Sequence, residues 1–167
     1  MTAPAVARSL IVGVHCRRGH FNDPRVPYCS ICGISMIQQT RVPVAGRRPA
    51  LGVLTLDDGT AYPLHRGYVL GRAPDRDPLV RAGRARPVLL ADRAVSRLHA
   101  RVLSTGWDVA VADAGSTNGT LVRRPGEKDW RVVPAGSGMP LVPGSRLRVG
   151  PREVRYDSHR PVGVLQC

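Results

Sequence analysis

Turn-forming residues interrupt this chain about every eight to twelve positions, and that spacing constrains its fold more than any other feature. No stretch carries the three-and-four recurrence of apolar residues that an amphipathic helix needs. What remains are short apolar runs. Leu51 to Leu56 and Ala61 to Leu64 flank Asp57-Asp58-Gly59-Thr60, a hairpin signal, because glycine tolerates positive φ. Tyr68-Val69-Leu70 ends at Gly71, and Pro87 to Leu90 is a further run. Leu98, Ala100 and Val102 alternate with His99, Arg101 and Leu103. After the turn Ser104-Thr105-Gly106, Trp107, Val109 and Val111 share one strand face. Thr120 to Arg123, Trp130 to Val133, Arg146 to Val149 and Glu153 to Tyr156 complete the set. The pattern predicts an all-β sandwich or barrel. Ala73 to Pro87, with six charged residues and three prolines, is expected to be a long surface loop.

Composition divides the chain into four regions. Residues 9–37 hold three of the four cysteines and predict a small module; residues 38–50 lack periodicity and are expected to be a linker. Residues 51–157 carry the β pattern, and 158–167 form a tail ending in Cys167, expected as a free thiol. No apolar run approaches the roughly 18 residues needed to span a bilayer. The first residues lack the basic-then-apolar order of a secretory signal, so a cytoplasmic location is expected.

The net charge is +13 and the pI about 11.2, with Lys128 the single lysine among 25 basic residues. Abundant Ala, Gly, Pro, Val and Arg fit a GC-rich bacterial genome, but guanidinium groups also suit anionic partners. The lone lysine sits in a polar stretch, and no phosphate loop or kinase-type strand lysine is present. Lysine Schiff-base chemistry is therefore not expected.

The cysteine region reads His15-Cys16-Arg17-Arg18-Gly19-His20, then Cys29-Ser30-Ile31-Cys32-Gly33. Three residues separate Cys16 from His20, two separate Cys29 from Cys32, and eight lie between the pairs. Each pair can chelate one ion from a tight turn, and the intervening chain can close a tetrahedral site. Sulfur and imidazole donors of this kind suit Zn2+, and four protein ligands would make its role structural. His20 is preferred to His15, which directly precedes a cysteine. A redox Cys-x-x-Cys is disfavoured by the missing β-α-β pattern. A module this small cannot fold on core burial alone, so the metal would supply its stability.

Three polar stretches stand at strand ends: Gly71-Arg72, Ser96-Arg97-Leu98-His99-Ala100 and Ser116-Thr117-Asn118-Gly119-Thr120. Together they offer guanidinium, hydroxyl and amide donors suited to a dianionic phosphoryl group and a peptide backbone. In this order they resemble the forkhead-associated (FHA) domain, a phosphothreonine-binding β-sandwich, over about two thirds of the chain. The cysteine segment looks, more loosely, like zinc-knuckle or zinc-ribbon elements ahead of FHA domains in some bacterial proteins.

The resemblance implies roles by position. Arg72 would contact the phosphate or the backbone beside it. Ser96 would donate its hydroxyl to a phosphate oxygen, with Arg97 adding charge. Thr117 would meet the phosphate or the threonine side chain, and Asn118 would hold the peptide main chain. Gly71, His99 and Gly119 would shape the loops. The family has no metal or nucleotide of its own. The expected protein is a non-enzymatic adaptor whose partner is a phosphothreonine protein, either a Ser/Thr kinase or its substrate.

Rival readings exist. A Ser96, His99 and Asp113 triad lacks the G-x-S-x-G elbow, and strand alternation would put Ser96 and His99 on opposite faces. A nucleic-acid binder would use the arginines and the zinc module, but only Phe21 and Tyr28 lie near the cysteines. A phosphate-independent scaffold would bind through another face.

Overall fold

A computed structural model of the chain describes residues 10–158, so Ser9, most of the tail and Cys167 lie outside the described residues. Those residues form two compact units, 10–49 and 50–158. Among them, no helix is long and apolar enough to cross a membrane.

In the first unit β1 (Leu10–His15) pairs antiparallel with β2 (Phe21–Asn22) and with β3 (Val44–Arg47). The third strand corrects the expected linker. Val44-Ala45-Gly46-Arg47 has no legible alternation, yet the backbone of Leu10 to Gly13 pairs with it residue for residue. The Phe21 ring explains the glycines: a Cβ at either Gly13 or Gly46 would collide with it. The apolar centre of this unit is slight, made of Val14, Cys16, Cys29 and Met36.

The second unit is all β apart from one short helical passage. Its strands are β4 (Val53–Leu56), β5 (Ala61–Pro63), β6 (Gly67–Gly71), β7 (Ala85–Leu89), β8 (Ala100–Thr105), β9 (Asp108–Asp113), β10 (Thr120–Arg123), β11 (Arg131–Val132), β12 (Met139–Leu141), β13 (Arg146–Val149) and β14 (Arg152–Asp157). They build a six-stranded sheet, β11-β10-β13-β14-β4-β5, and a five-stranded sheet, β12-β9-β8-β6-β7. Only β6 and β7 run parallel. Alternation does the packing: Leu54 and Leu56 of one sheet and Val102, Val109 and Val111 of the other turn into one core, joined by Leu70, Leu147, Val149 and Val154. Each such side chain contributes about 1.5–3 kcal/mol by leaving water. The Asp57-to-Thr60 hairpin forms as expected, with Gly59 at φ +86°.

The expected loop from Ala73 to Pro87 is shorter and more ordered than its composition indicates. A 3-10 turn, Pro74–Arg76, leads into α1 (Pro78–Arg81), and β7 begins at Ala85. Prolines suit first helical turns, and Asp77 caps α1 by accepting the Leu79 amide at 2.8 Å. Asp77 is fully buried, and its other oxygen accepts two bonds from Arg101, both 2.7 Å. Asp77→Ala removes a cap and strands a guanidinium, so a loss of about 3 kcal/mol is expected in urea unfolding. Pro87 is tolerated because β7 lies at a sheet edge.

Candidate functional site

The loops after β6, before β8 and before β10 meet at one end of the sandwich. Backbone bonds lock the first two together: the amides of Arg72 and Ala73 donate to the carbonyls of Ser96 and Arg97, each at 3.0 Å. The approach is so close that a Cβ at Gly71 would run into the Arg97 carbonyl. The second and third loops are joined by Ser96, whose Oγ accepts the Thr117 amide at 3.0 Å and lies 3.5 Å from Thr117 Oγ1. Ser96 Oγ thus accepts from the Thr117 amide while its own hydroxyl donates to Thr117 Oγ1.

His99 sits beneath this junction, fully buried. Its Nδ1 accepts the Ser96 amide at 3.1 Å, so the hydrogen-bond network assigns the proton to Nε2, which donates to the Gly119 carbonyl at 3.1 Å. One neutral imidazole thus spans two loops. This differs from the strand alternation predicted for residues 96–99. The strand starts only at Ala100, and the preceding residues bend so that the ring folds back under Ser96. Both ring nitrogens are taken by backbone groups, and neither reaches Ser96 Oγ as a general base would need to. Asp113 is equally committed: it accepts from the hydroxyls of Ser116 at 2.5 Å and Thr120 at 2.7 Å. Burial pushes its carboxyl up, but those hydroxyls and the Ser116 and Gly115 amides outweigh burial and hold it below the usual carboxylate range. Asp113 thereby braces the loop that carries Thr117 and Asn118. Gly119, at φ +80°, lets that loop turn into β10.

The exposed groups differ in kind from these braces. Arg72, Arg97, Thr117 and Asn118 are exposed and Ser96 half-buried. Arg72 is aimed by one bond, from Nε to the Val95 carbonyl at 2.6 Å. No carboxylate pairs with Arg72 or Arg97 among the described residues. All five binding residues expected from sequence therefore lie on the three joined loops, with Gly71, His99 and Gly119 beneath or between them. Sequence reasoning missed Asp113 as a brace; the signal was its position two residues before Gly115, the spacing of an Asx turn.

In the first unit Cys16, His20, Cys29 and Cys32 bring their ligand atoms within 4.8 Å of one another. Two glycine turns make this possible: Gly19 returns its amide to the Cys16 carbonyl at 2.8 Å, and Gly33 to the Cys29 carbonyl at 2.9 Å. Their φ values are +80° and +72°. His20 Nδ1 lies 3.6 Å from the sulfurs of both Cys16 and Cys29, and the Cys16 and Cys32 sulfurs are 3.9 Å apart. A tetrahedron with metal–sulfur bonds of about 2.3 Å has edges of about 3.8 Å, so this donor set fits a metal ion of zinc's size. His15 is exposed and packs on Phe21 instead. Asn22, fully buried, donates to Cys29 Sγ at 3.5 Å and to the His20 carbonyl at 2.7 Å. Burial raises the Cys29 thiol, yet the Cys32 and Ile31 amides and Asn22 outweigh it and lower it to about 6. A thiolate at that position is what a metal requires.

Comparison with known proteins follows the geometry. The FHA domain family matches residues 68–150. No curated protein matches the chain. Among solved structures, the FHA domain of Rv0020c is 30% identical, over 64% of this chain and 91% of that one, with a TM-score of 0.45. An FHA domain described by phosphothreonine-dependent interactions is 29% identical, over 64% and 95%, with a TM-score of 0.47. EmbR of Mycobacterium tuberculosis, in complex with a low-affinity phosphopeptide, is 23% identical, over 71% of this chain but 27% of its own length, with a TM-score of 0.52. Residues 68–150 of this chain belong to an FHA domain.

Proposed function

We propose that this protein is an adaptor that binds phosphothreonine peptides through its second unit and carries a structural zinc ion in its first. One observation carries the first part: Arg72, a cation without a carboxylate partner among the described residues, stands on a loop bonded to that of Ser96, and a 3.0 Å bond ties Ser96 to Thr117 of a third loop. Donors fixed in advance near an unneutralised positive charge favour a dianion over a neutral hydroxyl. In this reading Arg72 and Ser96 bind the phosphate, Arg97 adds charge, Thr117 meets the phosphate or the threonine side chain, and Asn118 holds the peptide backbone. His99 and Gly119 keep the loops in register, and Gly71 permits their approach. What similar FHA domains bind agrees with this reading.

The zinc ligands are Cys16, His20, Cys29 and Cys32. With all four positions filled by protein, the ion would hold two turns together and would offer no open position for chemistry. The partner is a protein phosphorylated by a Ser/Thr kinase, or the kinase itself, and the setting cytoplasmic.

The test is titration of the full chain with one peptide in three states: threonine, phosphoserine and phosphothreonine. Micromolar binding of the phosphothreonine form alone is expected. Equal affinity for the unmodified peptide would reject the site.

A further inference from the structure

The three sulfurs of the first unit's cluster are not equally protected. Cys16 and Cys29 are buried, whereas Cys32 is half-buried. Cys32 stands between exposed Ile31 and exposed Gly33, and a Cβ added at Gly33 would meet nothing within 4 Å. A small oxidant arriving from solvent therefore meets the Cys32 sulfur first.

The sulfurs are also held differently. Cys29 Sγ accepts from the Ile31 amide at 3.4 Å and from the Cys32 amide and Asn22 Nδ2, both at 3.5 Å. Those three donors pin it in place. Cys16 and Cys32 belong to different turns, yet their sulfurs lie 3.9 Å apart. A disulfide has a sulfur–sulfur bond of about 2.05 Å, so closing this pair asks for an approach of about 2 Å. The pair spans the two turns and is not the local Cys-x-x-Cys of an oxidoreductase.

We propose that Cys32 and Cys16 make the cluster a peroxide-sensitive switch that releases its metal, a reading that rests on the zinc site. The Cys32 thiolate attacks one oxygen of hydrogen peroxide, forming a sulfenic acid and expelling hydroxide. The Cys16 thiolate then attacks the Cys32 sulfur, and a second hydroxide leaves as the disulfide forms. Two thiolates have lost two electrons, and one peroxide has become two hydroxides. Of the four donors only His20 and Cys29 remain, too few to close a tetrahedral site. Residues 50–158 contain no cysteine, so the phosphopeptide loops lie outside this thiol chemistry.

The experiment treats the zinc-loaded full chain with hydrogen peroxide, follows released zinc with a chromogenic chelator and maps disulfides by peptide mass spectrometry. About one zinc is expected to leave for each Cys16–Cys32 disulfide formed, and a dithiol reductant with added zinc should restore the starting state. Cys32→His keeps a ligand at that position but removes the accessible thiol, and its zinc should leave about tenfold more slowly than in wild type. If Cys32→His takes up no zinc, the disulfide map of wild type decides alone. Zinc retained under peroxide, a disulfide at any other pair (Cys167 included), or equally fast release from Cys32→His overturns the switch while the zinc site stands. Oxidation to sulfinic acid, which the reductant cannot reverse, also overturns it. A chain that holds no zinc as prepared overturns both readings.

Discussion

Replacing Arg72 with alanine is expected to weaken phosphothreonine-peptide binding by about two orders of magnitude, to the edge of calorimetric detection. Its Nε bond to the Val95 carbonyl sets the direction of the fork, and the terminal amino groups have no carboxylate to satisfy among the described residues. Each charge-assisted bond to a phosphate is worth about 1.5–3 kcal/mol, so losing a two-bond contact removes a large share of a micromolar affinity near 8 kcal/mol. Arg72 is exposed, and the stability cost should be limited to about 1 kcal/mol for the lost bond to Val95. A melting curve close to wild type with binding gone is therefore the expected pair of results. Arg72→Lys should restore part of the affinity, since charge returns without the fork. Ser96→Ala would be harder to interpret, because Ser96 Oγ also holds the Thr117 amide. An unchanged dissociation constant in Arg72→Ala would remove this residue from the site.

Much of this was readable from the chain, and the reasons are specific. Strands such as Asp108–Asp113 announce themselves because one face is apolar and the other is not. The three stretches of candidate binding residues were legible because each sets polar side chains at a strand end and their order resembles that of the FHA domain. Val44–Arg47 was not, since its role comes from a partner more than thirty residues earlier and from the Phe21 ring that its glycine admits. Met139–Leu141 escaped for a similar reason: a three-residue strand with a central proline carries little local signal, and pairing with β9 creates it. The course of the chain before β8 was misjudged because alternation continues through Leu98 in sequence although the backbone turns there. What decides that turn is the imidazole's bond to the Ser96 amide, a contact no periodicity reports. The helical passage at Asp77 depends likewise on Arg101, a residue on another strand.

Stripping zinc from the full chain is expected to unfold residues 10–49. The buried apolar cluster of that unit contains four residues, and two of them, Cys16 and Cys29, belong to the group that could hold a metal ion. Its remaining fully buried side chains, Val14 and Met36, contribute about 2–3 kcal/mol each, far below the ordering cost of some forty residues. A structural zinc in a small module supplies about 10–16 kcal/mol at neutral pH, enough to reverse that balance. Buried Asn22 and the two glycine turns hold the Cys29 sulfur and its neighbours in the arrangement that a metal ion would use. Native mass spectrometry should find one zinc per chain. Cys32→Ser or a strong chelator should remove it and expose residues 10–49 to rapid proteolysis. Less than half an equivalent of zinc in carefully prepared protein, or a protease-resistant first unit after chelation, would mean that packing alone holds these strands, and the four side chains would need another explanation.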